Sequence, residues 1–199
     1  PPMLLARTST HTHQDPHLLA LTLGSSSHTH QHLSFANDRL NSQVHRDLKP
    51  ANVMLSKAGA VKISDFGISS QLENTGGFCS TFIGSACYMS PERLAGEQYS
   101  YAADIWSFGL IMLELASGRY PYPSTPSYFM LLGHIMDDAA PTLPEGDFSD
   151  AFGEFVSLCL DKDPKRRPAA SDLLKHQFVR SYPVLDDLLL SGLLEGMSL

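Results

Sequence analysis

His45-Arg46-Asp47-Leu48-Lys49-Pro50-Ala51-Asn52 is followed, thirteen residues after Asn52, by Asp65-Phe66-Gly67. Between these strings lie two short apolar runs, residues 52–55 and 60–63, separated by the turn-forming Ser56-Lys57-Ala58-Gly59. Val, Leu and Ile on either side of a Gly-containing turn predict a β-hairpin. Further along the chain, residues 101–116 are apolar nearly all round, with Ile105, Trp106, Phe108, Leu110, Ile111, Met112, Leu113 and Leu115. Gly118 and Pro121 stand just beyond, so this stretch predicts a buried helix with a glycine stop, at the centre of the core. Three more helices are expected. One opens at Thr125-Pro126 with Pro in its first turn, one carries Phe152, Phe155, Val156, Cys159 and Leu160 on a single face, and the last covers residues 169–178. The fold class is therefore mainly α with a short β-hairpin.

With 199 residues, 43% of them hydrophobic, the chain is long enough to bury a sizeable core. A net charge of -7, with Lys162 to Arg167 as the one dense basic cluster, argues against a nucleic-acid surface, which needs an excess of Lys and Arg to neutralise phosphates. Cys79, Cys87 and Cys159 are odd in number and form no C-x-x-C pair, so neither a disulfide framework nor a structural zinc site is indicated, and a reducing, cytoplasmic setting is expected. No run reaches the roughly 18 to 20 apolar residues of a membrane span, and residues 18–23 lack the flanks of a signal peptide. Residues 1–32 differ from the rest of the chain. They hold six of the nine histidines and only Arg7 and Asp15 as charged side chains, a biased composition read as disordered. His28, His30 and His32, with His11, His13 and His17, suggest a transition-metal tract, yet no coordination set is completed around them. The expected organisation is thus a His-rich segment over 1–32, a folded unit over 33–180 and a Leu-rich tail over 181–199. A first residue that is Pro rather than Met leads us to expect a fragment.

The H-R-D-L-K-x-x-N and D-F-G strings are followed in order by Tyr88-Met89-Ser90-Pro91-Glu92, by Asp104-Ile105-Trp106-Ser107-Phe108-Gly109, and by Asp163-Pro164 with Arg167. Together they resemble the protein kinase family. The resemblance implies the C-terminal lobe of the protein kinase-like fold, with ATP and Mg²⁺ as cofactors. Phosphoryl transfer needs positioning and charge neutralisation more than covalent chemistry, which explains the residue types. On this reading Asp47 accepts the proton of the substrate hydroxyl. Lys49 reaches the transferred phosphate, and Asn52 and Asp65 hold the metal. Asp104 resembles the family aspartate that fixes the catalytic-loop backbone, because a buried carboxylate needs partners. His45 and Phe66 resemble members of the apolar column between the lobes, and Glu92 and Arg167 the buried ion pair that ties down the activation segment.

Within the family the resemblance is to mitogen-activated protein kinase kinases. It rests on Ser64 before Asp65, Ser69-Ser70-Gln71-Leu72, Ser80-Thr81-Phe82-Ile83-Gly84, the Ser-Pro-Glu at residues 90–92 continued by Arg93-Leu94, and Ala116-Ser117-Gly118-Arg119-Tyr120-Pro121. It implies a Ser/Thr or dual-specificity enzyme in a signalling cascade, with a MAP kinase as substrate and a MAP kinase kinase kinase upstream. Thr75 and Thr81 are separated by five residues, the spacing of activating phosphosites in plant-type members, and are the expected phosphosites. Arg46 is their expected partner, since a phosphate adds roughly -1.5 to -2 charge and seeks arginines.

The family's first lobe would supply a G-x-G-x-x-G turn, a strand Lys and a helix Glu. Residues 1–44 contain no G-x-G and no Lys, and no Glu precedes Glu73, so the N-terminal lobe is expected to be absent and these 199 residues to be inactive. The rival reading is a one-lobed scaffold or decoy that binds kinase partners without catalysis.

Overall fold

The computed structural model describes residues 44–55, 61–65, 86–125, 127–146 and 148–181. Outside them lie Phe66, Thr75, Thr81 and Cys79, the turn at 56–59, the His-rich segment and residues 182–199. The described part is mostly helical. After a 3₁₀ turn at Pro50–Asn52 come β1 (Val53–Leu55), β2 (Val61–Ile63), α1 (Pro91–Leu94), α2 (Ala102–Ser117), α3 (Tyr128–Met136), α4 (Asp150–Cys159), α5 (Ala170–Leu173) and α6 (Gln177–Arg180).

The hairpin forms where the sequence puts it, with β1 starting one residue later than expected and β2 ending at Ile63 as expected. β1 and β2 pair antiparallel with Val53 opposite Ile63, Met54 opposite Lys62 and Leu55 opposite Val61. One further bond, from the Ser64 N–H to the Asn52 carbonyl (2.9 Å), extends the pairing beyond the strands. Asn52 is therefore drawn beside the residue that precedes Asp65.

Helix α2 is the centre of the core. Trp106, Leu110, Met112 and Leu113 are almost wholly buried along it. It stops at Gly118, whose φ of 70° is cheap only for glycine and whose N–H closes on the Glu114 carbonyl. Phe152, Phe155, Val156 and Cys159 of α4 pack into the same cluster. The two helices approach so closely at Gly109 that a Cβ there would lie 2.8 Å from the Cβ of Cys159. Ser149 starts α4 by accepting a hydrogen bond from the Phe152 N–H (3.2 Å).

Two helix limits differ from the sequence reading. Helix α3 begins at Tyr128 with an extended Ser127 as its cap, later than the opening at Thr125-Pro126 expected from sequence. Residues 169–178 do not form one helix. The chain turns extended at His176, whose ring Nδ1 accepts from the Phe178 N–H (3.2 Å) and starts α6 afresh. This break lets Phe178 swing in against Phe152 and Phe155, with ring centroids 4.8 and 5.2 Å apart. No helix among the described residues is long and apolar enough to cross a membrane.

Candidate active site

The site is built on a backbone turn held from within the core. Asp104, in the first turn of α2, is 2% exposed and accepts two backbone hydrogen bonds, from the N–H of His45 at 2.7 Å and from that of Arg46 at 3.0 Å. Burial pushes the Asp104 carboxyl above its ordinary range, while those two N–H groups pull it back down in part. Between them they fix Arg46 at φ 72°, a left-handed conformation that costs a non-glycine residue about 1–3 kcal/mol and survives only where its surroundings impose it. Arg93 of α1 grips the same turn from its other side, donating from Nη1 to the Arg46 carbonyl.

His45 ties this turn to the hairpin. Its ring is buried, and the partners settle the role of each nitrogen. The Ser64 carbonyl can only accept, so Nε2 donates to it (2.7 Å), and the Asp47 N–H can only donate, so Nδ1 accepts from it (3.2 Å). A single imidazole thus fixes the backbone on both sides, at Asp47 and at the residue before Asp65.

Asp47, Lys49 and Asn52 come together. Lys49 Nζ lies 2.7 Å from Asp47 Oδ2, with both side chains about a quarter exposed at 23% and 24%. The Asn52 amide donates to the Asp47 carbonyl (2.8 Å) and, more weakly, to its Oδ2 (3.3 Å). Asn52 thereby spends its NH₂ on Asp47. Asp65 is exposed, sits at φ 61°, and accepts at Oδ2 from the Ser64 hydroxyl (3.2 Å). An aspartate tolerates this left-handed conformation better than most residues. The oxygen-only donors of Asn52 and Asp65 suit a hard divalent cation that takes one or two protein ligands and completes its shell with water and phosphate.

Glu92 and Arg167 meet in the core through two parallel 2.8 Å bonds. Arg167 also donates to the carbonyls of Ala102 (2.8 Å) and Asp161 (2.7 Å), and its guanidinium lies 5.1 Å from the centre of the Trp106 ring. The Glu92 carboxyl is raised by burial, but the bonds and charge of Arg167 outweigh this and leave it below its ordinary range. The segment leading into α1 is tied to α2 and to the residues just after it. The Ser107 hydroxyl donates to the Tyr88 carbonyl (2.7 Å), the Tyr88 hydroxyl to Glu114, and the Tyr120 hydroxyl to the Cys87 carbonyl.

Arg46 Nε is buried and has no hydrogen-bond partner among the described residues. Its expected partners, Thr75 and Thr81, lie outside the described residues, as does Phe66. Sequence reasoning assigned no role to two residues of this site. Ser64 and Arg93 both stand in the strings that carry the family resemblance, which was the available signal. Their contacts run through backbone carbonyls, and nothing in a residue string reports those.

Residues 36–179 match the model of the protein kinase domain. The chain is 48% identical over 139 residues to mitogen-activated protein kinase kinase 3 of Arabidopsis thaliana, an alignment covering 70% of this chain and 27% of that protein. It is 45% identical to mitogen-activated protein kinase kinase 2 of the same plant, covering 70% and 40%. The same identity relates it to mitogen-activated protein kinase kinase SIPKK of Nicotiana tabacum, covering 72% and 42%. The chain thus spans less than half the length of these relatives.

Proposed function

We propose that this chain, which belongs to the protein kinase family, is the C-terminal lobe of a mitogen-activated protein kinase kinase that transfers the γ-phosphate of ATP to Ser or Thr, and to Tyr, of a MAP kinase. The observation that carries the reading is the grouping of Asp47, Lys49 and Asn52 on one rigid turn, with Asp65 brought alongside by the hairpin. Asp47 accepts the proton of the substrate hydroxyl. Lys49 Nζ and the Asn52 amide hold one carboxylate oxygen of Asp47, which leaves Oδ1 to face the hydroxyl. Lys49, 2.7 Å from Asp47, is assigned to the transferred phosphate. Asn52 and Asp65 would hold Mg²⁺, which supplies neutralising charge to the phosphates when bound. Upstream control is assigned to a MAP kinase kinase kinase acting on Thr81 and Thr75, with Arg46 receiving the phosphate.

A nucleotide held only from this side would be poorly positioned, because residues 1–44 offer neither a G-x-G turn nor a Lys. These 199 residues alone are therefore inactive. The test joins residues 44–199 to the Gly-rich loop and strand Lys of one of the relatives and assays phosphate transfer to a MAP kinase. Transfer is expected in the chimera and not in the 199-residue chain, with Asp47→Asn lowering kcat by about 10²- to 10⁴-fold. A chimera unaffected by Asp47→Asn would overturn the assignment of the base. Micromolar binding of Mg·ATP by the 199-residue chain would overturn its inactivity.

A further inference from the structure

We infer that Arg93 is a positioning residue for Asp47, acting through the strained turn at Arg46. The turn is gripped from two elements. The Asp104 carboxylate of α2 takes the N–H groups of His45 and Arg46, and the Arg93 guanidinium of α1 takes the Arg46 carbonyl. A left-handed arginine has no conformational preference of its own to hold it there, so it persists because both of its peptide groups are bonded. Asp47 is the next residue, and any drift at Arg46 moves its carboxylate.

Arg93 is in turn kept in place. Its guanidinium lies 5.0 Å from the centre of the Tyr99 ring, a cation–π contact that orients the flat group. Its helix is anchored by the neighbouring Glu92, which is locked to Arg167. Arg93 therefore links the end of the segment that carries Thr75 and Thr81 to the backbone beside Asp47. A Lys could give the carbonyl one bond, but it lacks the planar fork that stacks on Tyr99. The functional half of this inference rests on the reading of Asp47 above; the mechanical half does not.

Amide hydrogen exchange on the 199-residue chain tests it. In Arg93→Met the His45 and Arg46 amides should exchange about tenfold faster, while those of Phe155, Val156 and Leu160 in the core keep their rates. Arg93→Lys should fall between. A role in overall stability alone would speed all of these amides together, and that result, or unchanged exchange at 45 and 46, would overturn the inference. A Lys variant as fast as the Met variant would overturn it too. If Arg93→Met does not fold, Tyr99→Leu decides the matter, because Tyr99 is 41% exposed and its removal loosens the guanidinium without deleting it. A smaller, local rise at 45 and 46 supports the link, and no rise there ends it. If the chimera failed to transfer phosphate, the reading of Asp47 would fall while the exchange data still decided what Arg93 does.

Discussion

Arg167 and Glu92 set the largest single-residue effects. Breaking a buried ion pair leaves the other charge without compensation, so Arg167→Met should cost about 3–5 kcal/mol in urea unfolding. The pair also gives stability a pH dependence of fixed sign. The Glu92 carboxyl titrates below its ordinary 4.5 in the folded chain. A carboxyl depressed on folding adds stability that is complete above the unfolded value and drains away as pH falls through the folded one. Glu92→Gln should therefore lower the unfolding midpoint at neutral pH and flatten its fall below pH 4.5. These roles were legible in the sequence because they sit in ordered strings whose chemistry restricts the residue type. The grip of Arg93 and the junction at Ser64 were not, since one is a bond to a backbone carbonyl and the other depends on hairpin register.

At the scale of the element, two glycines in helices separate packing from propensity. Alanine in place of a mid-helix glycine gains about 1 kcal/mol of helix propensity. At Gly109 of α2 the added Cβ would meet the Cβ of Cys159, an atom fixed to the backbone of α4, at 2.8 Å. Overpacking of that kind costs about 1–3 kcal/mol, so Gly109→Ala should lower Tm. Gly133 of α3 is the contrasting case, since its nearest contact would be the flexible end of Asp137 at 3.9 Å, and Gly133→Ala should raise Tm. Neither sign could be read from sequence, because both residues sit in apolar helical runs. The hairpin and α2 were legible through strong local signals, namely β-branched runs about a Gly turn and an all-apolar face ending at Gly118. The last two helices were misread as one because the apolar spacing runs unbroken through His176. Only the backbone of that residue shows the interruption, and the cause is tertiary: Phe178 has to reach Phe152 and Phe155. Lys162 adds a similar long-range tie, donating to the Ile135 and Met136 carbonyls that end α3 (2.7 and 3.1 Å).

Across the whole molecule, the shared core makes Cys159 a reporter of global opening. Its side chain is wholly buried and its thiol is pushed up by burial, so no reactive thiolate is offered to solvent. In the folded chain its alkylation should follow the equilibrium population of the unfolded state. Adding urea should raise the labelling rate in step with the loss of helical signal, and labelling at a urea-independent rate would show local opening instead. The family was legible at this scale from the order of its strings.

The Glu92–Arg167 bond joins positions 75 residues apart, and the same guanidinium also bonds the carbonyls of Ala102 and Asp161. On a ribosome adding about 5–20 residues per second, Glu92 waits roughly 4 to 15 s for its counter-charge to be made. Until then its carboxylate cannot leave water, and α1, with Arg93 upon it, has no reason to settle. Residues 45–52 are thus translated well before Arg167, the counter-charge on which α1 waits.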